Sequence, residues 1–177
     1  MRPPVRFQTA RLDLRPVEAT DAPAIFSTYA GQVAPTRFMN FVRHAGVADS
    51  EAFARRCVDA WASGQAFPWA VTHRALGQFM GVVELRASPP KAELGYIFGD
   101  AFWGQGFASE AASAVVDWTM TQDSIFRIWA TCHPDNAGSA GVLRNLGLTY
   151  EATLANWEER PQLGERAGAS DVYAWVR

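Results

Sequence analysis

The stretch from Trp103 to Glu110 constrains the fold of this chain more than any other. It reads Trp-Gly-Gln-Gly-Phe-Ala-Ser-Glu and lies between a strand-like run, Ala92–Phe98, and a helical run from Ala108 to about Gln122. Gly104 and Gly106 let the backbone turn tightly, so that successive N–H groups can point at one spot. The first N–H groups of a helix lack internal partners and carry partial positive charge. A phosphate or pyrophosphate fits such a site, although a tight turn that binds nothing has the same sequence pattern.

Length and composition predict a single globular domain that spans residues 1–177. With 49% apolar and 12% aromatic residues, the chain can bury roughly 70% of the surface that it exposes when unfolded. The formal net charge of −2 gives no reason to expect nucleic acid or an anionic membrane as a partner. No apolar run approaches the ~18 residues of a membrane span, and the N-terminus lacks the apolar core of a signal peptide. We therefore expect a cytoplasmic protein.

The cysteines and histidines do not form a metal-binding or nucleophilic pattern. Cys57 and Cys132 fall in different predicted elements, so both are expected to be reduced core residues. His44, His73 and His133 are scattered, which predicts no zinc site. His133 follows Cys132 directly, but neighbours on a strand point to opposite faces, so a Cys–His nucleophile is not expected.

Hydrophobic periodicity and turn residues predict the element order β-α-α-β-β-β-α-β-α-β-β. Strands are expected at residues 11–15, 67–72, 79–86, 92–98, 125–132, 148–156 and 171–176, with a charged loop at 158–169 before the last one. Helices are expected to begin at Thr20 or Asp21, at Asp49, at Ala108 and at Asn136, and Gly147 is expected to end the last one. The crossover from 92–98 to 125–132 predicts a parallel pair, whereas the hairpins predict antiparallel neighbours. The fold class is therefore α/β, with a mixed sheet flanked by helices.

Four motifs in this order resemble the GNAT acetyltransferase superfamily. They are Thr-Ala-Arg-Leu-Asp-Leu-Arg-Pro at 9–16, Trp-Gly-Gln-Gly-Phe-Ala-Ser-Glu-Ala at 103–111, Asn-x-x-Ser-x-x-x-Leu-x-x-Leu-Gly at 136–147, and Asp-Val-Tyr-Ala at 171–174. The first and last resemble the branch that includes the ribosomal-protein N-terminal acetyltransferases RimJ and RimL. The resemblance covers residues 9–176 and implies the GNAT acyl-CoA N-acyltransferase fold, with helices on both faces of a mixed, mostly antiparallel sheet. It also implies acetyl transfer to a primary amine.

The resemblance implies acetyl-CoA as the co-substrate and no metal. The family pattern of Arg or Gln, two residues, Gly, one residue, then Gly or Ala maps onto Trp103, Gly106 and Ala108, with Trp replacing the basic or amide residue. The loop would then cradle the CoA pyrophosphate, and late amides of strand 92–98 would polarise the thioester carbonyl. Asn136 is expected to cap its helix and to hydrogen-bond the pantetheine arm. The expected cofactor-binding residues are Ile97, Phe98, Trp103, Gly104, Gln105, Gly106, Phe107, Ala108, Ser109 and Asn136.

The resemblance also implies a candidate for the group that assists the departing thiolate. Many family members carry a Tyr on the helix after the second crossover strand, but that position here is Leu143. In the RimL-type branch a Ser in the first turn of that helix is the proposed substitute, and it maps to Ser139. Ser139 is thus a catalytic candidate, although an ordinary first-turn residue would have the same position.

The general base has two candidates. Some relatives carry a Glu on the strand before the second helix start, but that position is Thr131 here. Glu84 and Glu93 lie on consecutive predicted strands, and either can orient an amine or a water or simply face solvent. An α-amine loses its proton near pH 7.7–8.0, whereas a lysine amine titrates at about 10.4, so a weak base suffices for the former.

The acceptor amine stays open between a peptide N-terminus and a small molecule such as an amino acid, a polyamine or an antibiotic. Substrate choice is expected from Val33–Val42, Trp69 and Trp157–Glu159, where an acidic pair would attract a cationic amine or lie in a solvated loop. A non-catalytic acyl-CoA sensor is an alternative function. A dinucleotide-binding unit is another, but Ser109 occupies the third glycine position of its fingerprint. Monomer and homodimer are both compatible with the sequence.

Overall fold

The computed structural model describes all of residues 1–177 and contains one mixed sheet of eight strands. The strands are β1 (Phe7–Gln8), β2 (Leu12–Pro16), β3 (Phe67–His73), β4 (Phe79–Ser88), β5 (Lys91–Phe98), β6 (Arg127–Cys132), β7 (Thr149–Arg160) and β8 (Glu165–Val176). Their order across the sheet is β1-β2-β3-β4-β5-β6-β8-β7. Only β5 and β6 are parallel, and all other neighbours are antiparallel. The predicted parallel crossover and mostly antiparallel sheet are confirmed.

Helices cover both faces of this sheet. They are α1 (Ala22–Ile25), which continues into a π-helical turn at Phe26–Ala30, α2 (Val33–Thr36), α3 (Val47–Ser63), α4 (Phe107–Met120) and α5 (Ala137–Asn145). The side chains that alternate toward one face of β3, β4 and β5 pack with α4 and α5 in a core of 26 buried residues. Those on the other face pack with α1 and α3 in a core of nine. None of the helices combines the length and the apolarity that crossing a bilayer requires.

The predicted elements are present, with shifted ends. Among the strands and α-helices, two short elements were not predicted, namely β1 and the helix α2 inside the expected loop at 33–42. The helix α3 begins at Val47, two residues before the predicted cap Asp49. Asp49 lies instead in its first turn, where its carboxylate accepts the N–H groups of Ala45 (2.8 Å) and Gly46 (3.3 Å). Asp at the third helical position accepts from donors that precede the helix, and Asp is also a favoured cap residue, which explains the misplaced boundary.

The expected charged loop at 158–169 is wrong, because the structure has strand there. The strand β7 extends to Arg160 and β8 begins at Glu165, so only a short turn separates them. The Arg160 side chain is 1% exposed. It donates to Ser170 Oγ (2.6 Å) and pairs with Glu158 (3.3 Å). Because opposite charges pair within the hairpin, this charged segment forms two paired strands instead of a solvated loop.

Candidate functional site

The two parallel strands separate after a short region of pairing. Their register ends at Glu93 opposite Trp129. The strand β5 then continues to Phe98 and β6 to Cys132 without pairing to each other. A gap therefore opens between the carboxyl halves of two central strands. Ligands of sheets with helices on both faces commonly bind at the carboxyl ends of such strands.

Backbone donors of β5 point into this gap. The N–H of Gly99 donates to the Met80 carbonyl (3.0 Å) and so points to β4. Because alternate residues of an antiparallel ladder face the same neighbour, Ile97 also directs its N–H to β4. Tyr96 and Phe98 point the opposite way, toward the gap. Of the two amides expected to polarise the thioester, Phe98 has the required orientation, and Ile97 does not because β4 takes up its N–H.

The glycine stretch has the predicted tight geometry. Gly104 and Gly106 have φ angles of 72° and 78°, a left-handed conformation that glycine adopts without steric cost. A Cβ added at Gly104 would meet no atom within 4 Å, so the loop is open to a ligand on that side. The exposed Trp103 ring lies beside the loop, and its indole N–H donates to the Phe98 carbonyl (3.0 Å). Trp103 thus ties the loop to the end of β5.

The helix α4 presents free N–H groups where the loop ends. Its first internal hydrogen bond runs from the Glu110 N–H to the Gly106 carbonyl (3.0 Å). The N–H groups of Phe107, Ala108 and Ser109 precede it and have no partner within the helix. Three free donors, a helix dipole and two left-handed glycines suit a pyrophosphate. The residues present therefore fit the phosphate portion of acetyl-CoA.

The β1–β2 hairpin holds this loop in place, a feature that the sequence analysis missed. The Glu110 carboxylate accepts hydrogen bonds from Thr9 Oγ1 (2.6 Å) and from Arg11 N (2.9 Å) and Nε (2.6 Å). Arg11 Nη1 also donates to the Gln105 carbonyl (3.1 Å), and its guanidinium lies 4.2 Å from the centre of the Phe107 ring. One arginine therefore contacts both the loop and the first turn of α4.

The second helix start, at α5, lies on the same face of the sheet. Asn136 Oδ1 accepts the Ser139 N–H (3.1 Å), which confirms the predicted cap. Ser139 Oγ lies 2.8 Å from the Tyr96 hydroxyl, which is also 3.1 Å from the Ser139 carbonyl. Leu143, at the position of the family tyrosine, is fully buried in the core. The structure thus brings Ser139 to β5, beside the gap.

Tyr96 is the site residue that sequence reasoning missed. Burial raises its pKa well above the ordinary value, an effect that the hydrogen bond with Ser139 only partly offsets. Its position could have been found from alternation, because Tyr96 shares a face with the apolar Leu94 and Phe98. The phenol therefore stays protonated across the physiological range.

The two predicted base candidates lie on the opposite face, with α1 and α3. Arg86 brings them together, since its Nη2 is 2.5 Å from Glu84 and its Nη1 is 3.3 Å from Glu93. Burial raises the pKa of Glu84, while Arg86 acts in the opposite direction. Because neighbouring residues of β5 point to opposite faces, neither carboxylate lies beside the Tyr96–Ser139 pair.

The loop after α2 and the β7–β8 hairpin join near the end of β6. Gln162 Nε2 donates to the carbonyls of Thr36 (2.9 Å) and Phe41 (2.7 Å). Asn40 Nδ2 donates to Glu158 (2.7 Å). Among the residues expected to select the substrate, Trp69 has to be corrected. It is 0% exposed and packs in the core, where a substrate cannot reach it.

His133 connects these segments to β6. Its ring stacks on Phe38 at 4.9 Å, and its Nε2 lies 3.5 Å from Glu165. Its Nδ1 accepts the Asp135 N–H (3.0 Å). His133 follows Cys132, which faces α5, so the imidazole points to the other face of the sheet. This end of the gap thus carries the carboxylates of Glu158 and Glu165, which both pair with Arg160, and of the exposed Asp135.

Comparisons with known proteins agree with this geometry. Residues 11–149 match the family model of the acetyltransferase (GNAT) domain. The uncharacterized N-acetyltransferase p20 of Bacillus licheniformis is 29% identical over 154 residues, which cover 85% of this chain and 86% of that protein.

Solved structures share the whole fold. RimL, the ribosomal L7/L12 alpha-N-protein acetyltransferase, solved in complex with coenzyme A, superimposes with a TM-score of 0.83 at 20% identity, covering 98% of this chain and 96% of that chain. RimJ of Mycobacterium smegmatis, in complex with CoA-disulfide, gives 0.81 at 22% identity, with 93% and 81% covered. At such identities the likeness shows the fold.

The fold excludes the dinucleotide-binding alternative, because a doubly wound sheet is mostly parallel and this one has a single parallel pair. The family model, the relatives and the free helix start beside the gap all agree with one activity. The chain belongs to the GNAT acetyltransferase family and is an acetyl-CoA-dependent N-acetyltransferase.

Proposed function

We propose that this enzyme acetylates the α-amine of a peptide or protein N-terminus. The observation that carries the proposal is the state of the two base candidates. Glu84 and Glu93 both pair with Arg86, so neither is a free base beside the gap. An acceptor that needs little help in losing its proton suits such a site.

The chemistry of amines favours an N-terminus under these conditions. With a pKa of about 7.7–8.0, roughly a tenth of an α-amine is neutral at pH 7. For a lysine side chain with a pKa of about 10.4, the neutral fraction is about four in ten thousand. Glu158 and Glu165 pair with Arg160, but with Asp135 they outnumber this cation, and the surplus of negative charge would attract the cationic form to the entrance of the gap. RimL, whose fold this chain shares, acts on the α-amine of a ribosomal protein.

Each site residue then has one task. The N–H groups of Phe107, Ala108 and Ser109, with Gly104, Gln105 and Gly106, hold the pyrophosphate. The Phe98 N–H polarises the carbonyl that is attacked. Asn136 orients Ser139 through the helix cap, and Ser139 Oγ hydrogen-bonds the sulfur that leaves. When bound, acetyl-CoA supplies the thioester that is the electrophile of the reaction.

A panel of acceptors tests the proposal. The purified enzyme is incubated with acetyl-CoA and three lysine-containing peptides of one sequence, with a free N-terminus, a blocked N-terminus, or a free N-terminus and blocked lysines. Spermidine and free amino acids complete the panel. Release of free thiol and the mass of each product are measured. We expect acetylation of both peptides with a free N-terminus, at the α-amine, and none of the blocked one.

The panel also contains the outcomes that contradict the proposal. Acetylation of the blocked peptide would assign the enzyme to lysine side chains. Turnover with spermidine or an amino acid but with no peptide would assign it to small amines. The natural acceptor is then found by mass spectrometry of protein N-termini and small amines with and without the enzyme.

A further inference from the structure

The hydroxyl groups of Tyr96 and Ser139 form a pair at the gap. They are 2.8 Å apart, and Tyr96 comes from β5 while Ser139 comes from the first turn of α5. Both side chains are only partly buried, as expected for groups that border an opening. The Cys132 thiol also hydrogen-bonds the Ser139 side chain, but a thiol is a weaker partner than the Tyr96 phenol.

The direction of this hydrogen bond determines what Ser139 can do. A serine hydroxyl has one proton to donate and two lone pairs to accept with. If Ser139 donates to Tyr96, its proton is engaged and the leaving sulfur receives none. If Tyr96 donates to Ser139, the serine proton is free for the sulfur.

We propose that Tyr96 is a positioning residue for acetyl transfer, which donates its hydroxyl proton to Ser139 Oγ and so directs the Ser139 proton to the leaving sulfur. The proposal rests on the role given to Ser139 in the proposed function. It does not depend on which amine is the acceptor, because the sulfur is the same with all of them.

The transfer step balances with these two groups as hydrogen-bond donors. The acceptor nitrogen forms its bond to the acetyl carbon, and the bond from that carbon to sulfur breaks. The electron pair of the broken bond passes to the sulfur, where Ser139 Oγ–H stabilises it. Tyr96 strengthens this donor, because hydrogen bonds in a chain polarise one another. The surplus proton of the nitrogen passes to water.

The surroundings of Tyr96 keep it a constant donor. Burial holds the pKa of its phenol above the ordinary range, so the phenol does not ionise at neutral pH. The other titratable groups that face it are Cys132 and Tyr173. Burial raises the pKa of the Cys132 thiol to about 11, so it too is neutral. The Ser139 carbonyl, 3.1 Å from the phenol oxygen, is a second acceptor for the Tyr96 proton, and Ser139 Oγ at 2.8 Å is the nearer of the two.

A double-mutant cycle tests the proposal, with kcat and KM for acetyl-CoA measured for every variant. Tyr96→Phe removes the hydroxyl and keeps the ring. We expect kcat to fall about 10-fold while KM changes less than about twofold, since the group acts on the leaving sulfur. In a Ser139→Ala background the same change should have no further effect, because the group through which Tyr96 acts is absent.

Tyr173→Phe is the matched control. Tyr173 also lies buried on the α4–α5 face, but its hydroxyl is 3.5 Å from Arg144 and not next to Ser139. We expect wild-type kcat for this variant. Equal losses in Tyr96→Phe and Tyr173→Phe would show that removing any tyrosine hydroxyl from this face loosens the enzyme.

Difluorotyrosine at position 96 keeps the test decisive if Tyr96→Phe does not fold. It retains the hydroxyl and is a stronger hydrogen-bond donor, so kcat should equal or exceed the wild-type value. A kcat well below wild type with difluorotyrosine, a Tyr96→Phe variant with wild-type kcat, or additive losses in the double variant would overturn the role of Tyr96. Wild-type kcat in Ser139→Ala would instead overturn the role of Ser139, and neither result bears on the acceptor.

Discussion

Two helices, α4 and α5, begin beside the same gap, and their first turns differ. At α4 no side chain caps the helix, a left-handed glycine precedes it, and the N–H groups of Phe107–Ser109 are free. At α5 the Asn136 side chain occupies the Ser139 N–H. The first start therefore acts through its backbone and suits an anion, whereas the second has one of its backbone donors capped and offers the Ser139 side chain.

This difference assigns separate tasks to the two ends. The site at α4 binds the co-substrate through backbone N–H groups, which do not depend on the side chain. Its geometry depends instead on the glycines of the loop and on supporting side chains such as Arg11. A side-chain site acts on the reacting atoms through one hydroxyl, so it depends on the identity of Ser139. Changes at α4 should affect binding, and changes at α5 should affect turnover.

Gly106→Val should have the largest effect and should act on binding. The φ angle of 78° costs an L-residue roughly 1–2 kcal/mol, so the backbone will shift and the N–H groups of the cradle with it. Each lost hydrogen bond to a charged group costs about 1.5–3 kcal/mol, so we expect Kd for CoA to rise about 100-fold. Isothermal titration calorimetry measures it. Gly141→Ala, in α5 with open space around it, is the control, and an unchanged Kd in Gly106→Val would refute the pyrophosphate site.

Ser139→Ala should come second and should act on turnover. Loss of a single preorganised donor costs about 100-fold in favourable cases, and water can replace part of it here, so we expect a fall of about 30-fold in kcat. KM for acetyl-CoA should stay within about twofold. Steady-state kinetics separates the two constants, and a rise in KM with normal kcat would reverse the comparison between the helix starts.

Arg11→Ala should weaken acetyl-CoA binding indirectly, because Arg11 supports the glycine loop. Arg11 supports the loop through Glu110 and the Gln105 carbonyl, but the side chain is 43% exposed, so its ion pair contributes at most about 1 kcal/mol. We expect a rise of about fivefold in KM for acetyl-CoA. Arg55→Ala is the matched control, because Arg55 pairs with Glu51 on the exposed face of α3. Equal KM values for the two variants would contradict a supporting role of Arg11.

The same support predicts that the contribution of Glu110 to CoA binding is constant over the pH range in which its carboxylate is ionised. Burial would raise the pKa of Glu110, but hydrogen bonds from Thr9 and Arg11 outweigh it and lower the pKa below its ordinary value. A carboxylate with a lowered pKa contributes its stabilisation above the unfolded pKa of about 4.3 and loses it as the pH falls further. The ratio of the Kd for CoA in Glu110→Gln to that in the wild type should therefore be above one and constant between pH 7 and 5, where Glu110 is ionised. A ratio that falls toward one as the pH drops from 7 to 5 would contradict the lowered pKa.

Asn136→Ala should have the smallest effect, on stability. Removing a side-chain cap costs about 1 kcal/mol of the free energy of unfolding. Urea denaturation should show this loss, and Kd for CoA should rise only slightly. A loss of affinity as large as that of Gly106→Val would mean that Asn136 binds the co-substrate in addition to capping α5.

Local signals predicted the parts of the site that depend on local geometry. The tight turn at Gly104 and Gly106, the Asn136 cap and the extended conformation of β5 are properties of a few neighbouring residues, and all were predicted. The contacts of Arg11 with Glu110 and of Tyr96 with Ser139 join residues that are 99 and 43 positions apart. Periodicity shows which face a residue takes but not what it meets there. The β7–β8 hairpin, which occupies the expected loop at 158–169, depends likewise on pairing between two strands.

The gap between β5 and β6 also makes the sheet incomplete until a ligand fills it. The N–H groups of Tyr96 and Phe98 have no strand opposite them. The amide carbonyls of a pantetheine arm can accept hydrogen bonds from these groups. Ligand binding then adds to the free energy of unfolding. A ligand at a hundred times its Kd adds about 2.7 kcal/mol to the stability of the native state. The resistance of this enzyme to unfolding therefore varies with the concentration of acetyl-CoA, because the ligand pairs with the part of β5 that has no neighbouring strand.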